Sequence, residues 1–103
     1  MRILVTVLAA LISAAFVLPE TAKAQSTVTQ QAQCELAAIR DTRSAVAVQF
    51  IRSACNWLAL NGDSLLNAQY KGYYVCLLQN LSGVQADAAA QAVVSACRAA
   101  NRL

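Results

Sequence analysis

Residues 34–55 read CELAAIRDTRSAVAVQFIRSAC, and residues 76–97 read CLLQNLSGVQADAAAQAVVSAC. Each stretch opens and closes on cysteine, and the four cysteines, Cys34, Cys55, Cys76 and Cys97, follow one another at a constant interval. A shift of 42 positions lays Cys34 on Cys76, Leu36 on Leu78, Ala47 on Ala89 and Gln49 on Gln91. The same shift places Ser53-Ala54-Cys55 on Ser95-Ala96-Cys97. Regular self-similarity of this kind is the pattern of a repeated supersecondary unit. The units run from about 28 to 58 and from about 65 to 103.

Apolar periodicity predicts that each unit is a pair of helices. Ser44 is a good N-cap, and Ala47, Phe50, Ile51, Ala54 and Leu58 behind it recur on one helical face. Gln49, Arg52, Ser53 and Asn56 fall on the opposite face. In the second unit Asp87 caps, or occupies the first turn, ahead of Ala90, Val93, Val94 and Cys97. Gln91, Ser95, Arg98 and Arg102 make its wet side. An earlier helix is expected from about Val28 to Arg40 with Val28, Ala32, Leu36 and Ile39 inward. Its counterpart, Leu65 to Leu81, presents Tyr70, Tyr73 or Tyr74, Leu77 and Leu81. Asp41 to Ser44, Asn61 to Ser64 and Ser82-Gly83 are the breakers between helices. Gly72 marks either the true start of the third helix or a close contact. The expected fold is all-α: two antiparallel helical hairpins, stapled by disulfides, forming a small four-helix bundle.

The staples follow from hairpin geometry. A residue near the start of one helix and one near the end of the next meet at the open end of an antiparallel pair. Cys34 with Cys55, and Cys76 with Cys97, meet that condition. Four cysteines allow three connectivities, and the main rival ties the units together through Cys34–Cys97 and Cys55–Cys76. A four-thiolate zinc site normally uses close pairs of the C-x-x-C type, and the chain has none, so no metal is expected.

The N-terminus has a different character from the rest. Met1-Arg2 is followed by the uncharged run Ile3 to Leu18, then Pro19 and Ala22-Lys23-Ala24. Residues 1–24 therefore read as a signal peptide cleaved after Ala24, leaving residues 25–103 as the mature four-cysteine domain in a periplasmic or secreted location. An uncleaved anchor is the rival reading, although the run falls short of a bilayer span. With 103 residues, 58% apolar and 13% charged, the chain holds one small domain at most. Its net charge of +3 is too small and scattered for a nucleic-acid surface.

The run Tyr74-Val-Cys76-Leu-Leu-Gln-Asn-Leu-Ser-Gly83-Val-Gln-Ala-Asp87-Ala-Ala, closing on Ala96-Cys97-Arg98, resembles the second half of small exported bacterial four-cysteine proteins of uncharacterised function. The resemblance implies a periplasmic or secreted helical domain. It implies no activity and no catalytic residue.

An enzyme is not expected. The chain has no histidine, its carboxylates are dispersed, and no Gly-rich phosphate loop or cofactor motif is present. Asp63 beside Ser64 is explained by helix capping. A protein-binding or structural module is the favoured class, and the aromatics Trp57, Tyr70, Tyr73 and Tyr74 are its candidate binding residues, since such rings join an apolar body to a polar handle. The competing reading places Trp57 and two tyrosines in the core. A carrier of a small apolar or lipid ligand is the alternative function, opposed by the alanine-rich stretch Ala86 to Ala92, which favours close helix packing. An enzyme is the remote one. Asn80-Leu-Ser82 has the form of a glycosylation acceptor and otherwise reads as a helix end.

Overall fold

The structure, a computed structural model, describes the backbone of residues 18–103 and the side chains of residues 26–103. Four helices follow in order: α1 (Leu18–Ile39), α2 (Ala45–Asn61), α3 (Ala68–Leu81) and α4 (Asp87–Ala100). The described part of the chain contains no strand. The expected leader lies outside the described residues except for 18–24, whose backbone is helical and continuous with α1.

Element boundaries obey the same 42-residue offset as the sequence. α1 ends at Ile39 and α3 at Leu81; α2 begins at Ala45 and α4 at Asp87. Both hairpin turns also repeat one backbone bond: Thr42 N–H donates to the Ile39 carbonyl (2.7 Å) and Val84 N–H to the Leu81 carbonyl (3.1 Å). Gly83, at φ +83°, supplies the left-handed residue that ends the third helix, a conformation a Cβ disfavours.

Local chemistry explains where the helices begin. Ser44 has extended backbone and accepts Ala47 N–H at 3.1 Å through Oγ, as an N-cap does. The third helix starts at Ala68 rather than at Leu65. Ser64 Oγ accepts Leu66 N–H at 3.2 Å, and Asn67 is left-handed at φ 64°, so local bonding holds this stretch in a turn. The first helix is already formed at Leu18, ten residues before the expected Val28, and residues 20–39 contain no glycine or proline to interrupt it.

The core belongs to α2, α3 and α4. Ile51, Ala54 and Cys55 pack with Tyr73, Leu77 and Leu81 and with Ala90, Val94 and Cys97 in one buried cluster. Helix α1 lies against α2 and adds only the partly buried Cys34, Ala38 and Ile39. Three of the four residues expected to face inward from α1 face out instead: Val28, Ala32 and Leu36 are exposed, and only Ile39 is partly covered. The spacing is periodic, but the side of α1 that meets α2 is the one carrying Cys34, Ala38 and Ile39.

Cys34 pairs with Cys55 and Cys76 with Cys97, with Cα separations of 5.6 and 5.7 Å. The expected connectivity is the one found. Their position differs from expectation. Each bond joins a point five residues before the end of one helix to a point ten residues beyond the start of the next, so both clamp the body of a hairpin rather than its open mouth.

Candidate functional site

The candidate aromatics divide into a stacked cluster and one outlier. Trp57, near the end of α2, stacks on Tyr74 of α3 with ring centroids 4.8 Å apart, and Tyr73 meets Tyr74 edge-on at 5.0 Å. Tyr73 is in the core, while Tyr74 and Trp57 are half-buried beside it. Residues 73 and 74 point about 100° apart on a helix, so one can fill the core while the other lies along its edge. Tyr70, expected inward, is exposed, because it falls in the first turn of α3, beyond the part of the bundle that α2 and α4 cover. Of the four candidate binding residues, Tyr70 therefore presents the freest ring and Tyr73 contributes packing.

All four cysteines are spent in cystines. Among the described residues no group of three or more His, Cys, Asp or Glu side chains gathers. A crevice beside Cys34–Cys55, bounded by Gln30, Leu58, Ala59 and Asp63, encloses about 200 Å³. That is smaller than the pockets that enclose drug-sized ligands, and the roomier hollows, such as that of about 560 Å³ along Ala32 to Arg40, are more open to the surface. Ile51, Leu77 and Leu81 are fully buried, so the contacts between hairpins are filled by side chains.

The densest polar constellation is where the two hairpin turns meet, and sequence reasoning did not anticipate it. Val84 carbonyl accepts both Arg43 N–H and Ser44 N–H at 3.1 Å. Thr42 Oγ1 accepts Gly83 N–H at 2.7 Å, and Gln85 Nε2 donates to the Asp41 carbonyl at 2.7 Å. Ser44 Oγ donates to Asp87 Oδ1 at 2.6 Å, and the same oxygen accepts Val46 N–H at 3.3 Å. Asp87 thus serves the N-terminus of α2 across the interface as well as standing in the first turn of its own helix, whose N-cap, Ala86, makes no side-chain bond. The Ser44 hydroxyl, followed by the Val46 amide, holds the Asp87 carboxyl below its ordinary range. Ser44 is buried and committed on both sides of its oxygen, so this Ser–Asp contact is a clamp. The sequence carries a trace of it: Ser44 and Asp87 both sit at helix starts, which antiparallel hairpins bring to one end.

Two apolar surfaces remain uncovered. On α1, Val28, Ala32 and Leu36 continue toward Ile39 in a stripe, with a shallow groove flanked by Glu35 and Arg40. Where α2 passes into α3, Leu60, Leu65, Leu66 and Tyr70 also stand out. Charge is sparse on these faces. Arg52 Nε bonds Glu35 Oε1 at 3.0 Å across α1 and α2, and Lys71 Nζ donates to the Gly62 carbonyl at 2.8 Å. Asn80 Nδ2 donates to the Cys76 carbonyl at 2.8 Å, an ordinary helix-surface bond. No described helix is long and apolar enough to cross a membrane.

A family model described as four-cysteine protein VF_A0006-like matches residues 11–101. No curated protein matches the chain. No solved structure matches it either.

Proposed function

The chain belongs to the four-cysteine protein VF_A0006-like family, and from that premise we propose that it is an exported, non-catalytic module that binds a partner protein. Export is supported by the charged start, the apolar run Ile3 to Leu18 and the Ala22-Lys23-Ala24 stretch. The two cystines fit the oxidising compartment that such a leader reaches. With no histidine in the chain and every thiol oxidised, the ordinary neutral-pH base and the strongest nucleophile are both missing from its chemistry.

The observation that carries the binding reading is the outward stripe of α1. Leu36 is 76% exposed and Val28 69%, at positions whose spacing belongs to a packed helix face. A face one stripe wide fits a partner's amphipathic helix, laid along α1 ridge into groove. Crosslinking in the export compartment tests it. One dominant crosslinked species is expected with the native chain, and Leu36→Asn should abolish it while the fold persists. A native chain that yields no such species, or a species indifferent to Leu36→Asn, contradicts the reading.

A further inference from the structure

We propose that the end of the bundle built around the α2–α3 turn is a docking surface for anionic phospholipid membranes. Its leucines lie on the α2–α3 turn, whereas the α1 groove runs from Ala32 to Arg40 toward the hairpin turn.

The apolar part is the turn itself. Leu65 is 97% exposed and Leu66 75%, so neither contributes to the buried core. Their backbone is held by the Ser64 hydroxyl on Leu66 N–H and by left-handed Asn67, which presents two adjacent leucines at the tip of a defined turn. Leu60 and Tyr70 extend the same surface on the flanking helix ends, at 65% and 46% exposure. Large apolar side chains left exposed at one end of a small domain mark an interaction surface.

Charge selects the partner. The side chains of residues 26–103 comprise six basic and four acidic groups. Arg40, Arg43 and Arg52 are matched in number by Glu35, Asp41 and Asp87, which lie at the hairpin turns or along α1 and α2. The remaining groups, Lys71, Arg98, Arg102 and Asp63, lie toward the end that carries the leucines. The antiparallel order brings the α4 C-terminus there, and the approach of Asn101 to Gly72 seats it against α3. Within residues 26–103 the positive excess therefore falls toward the end that carries the exposed leucines. Apolar side chains that enter the acyl boundary and cations at the same end that meet lipid phosphates are the two components of interfacial attachment.

The test is flotation of the oxidised chain, as recovered from producing cells, with vesicles of phosphatidylglycerol and phosphatidylcholine in equal parts. Binding should weaken at least about tenfold in Leu65→Asn/Leu66→Asn, because two leucines leave the acyl boundary. It should weaken in high salt and with Arg98→Gln, and on phosphatidylcholine alone. Melting of the double variant should match the native chain, since both leucines lie outside the core. Leu36→Asn should leave flotation unchanged, which separates this surface from the α1 face. Absence of flotation overturns the proposal. So does flotation indifferent to the double substitution or equal on both lipids, or capture of the turn by a protein partner with no affinity for vesicles.

Discussion

Asp87 shows how much one side chain can do beyond its own helix. Its carboxylate accepts a hydrogen bond from Ser44 Oγ and another from the Val46 amide, so its charge stabilises the start of α2 while its backbone starts α4. A carboxylate whose folded pKa is depressed contributes stability that is present above its unfolded value and is lost as pH falls through the folded one. Urea titrations should accordingly show native stability dropping as pH falls from about 4 downward. Asp87→Asn should be less stable than the native chain at neutral pH and lose less on acidification, so that the two curves converge in acid. Parallel curves would mean that another group controls the acid limb. Ser44 and Asp87 were both legible as residues of helix starts. That they hold each other was not, because sequence spacing says nothing about which turns abut.

At the scale of elements, α1 stands apart from the other three helices. Its residues 25–39 span a length at which an isolated helix is marginal in water. It is attached by Cys34–Cys55, by the Glu35–Arg52 ion pair and by the partly buried Ala38 and Ile39. The ion pair is largely exposed on the arginine side and adds little. The disulfide is the covalent tether, beside the packing of α1 along α2. In Cys34→Ala/Cys55→Ala, amide exchange should accelerate throughout α1 and stay slow in the buried turns of α2, α3 and α4. Uniform acceleration in all four helices would show that α1 is integral to the cooperative core. The α1 stripe was read correctly as periodic and incorrectly as inward. Periodicity identifies a face; the width of the surface it meets decides whether that face is covered.

For the whole molecule the cystines and the core act together. A domain of this size buries a modest share of its surface, so the core cluster leaves stability near the lower end of the usual range. Each bridge joins positions 21 apart, and the chain-entropy account assigns about 3 kcal/mol to a loop of that size. Removing both takes away about 6 kcal/mol, comparable with the total stability of a small domain. Far-UV circular dichroism on heating should therefore show a cooperative transition for the oxidised chain. The fully reduced chain should show loss of that transition or a far lower midpoint. Unchanged melting after reduction would place the stability in packing alone.

The sequence by itself determined the helical class, the turns within the two hairpins, the cysteine interval that makes each hairpin a closed unit, and the wet and apolar faces of α2 and α4. These are local matters: caps, breakers and a 3.6-residue period depend on residues within a few turns of one another. Only the tertiary structure decided that α2 is shared by the core while α1 rides outside. It alone brought Thr42 and Ser44 of one turn against Gly83, Val84 and Asp87 of the other, and left Leu65 and Leu66 uncovered at the far end. Those outcomes depend on which apolar faces reach each other first and most fully, a competition among helices in three dimensions.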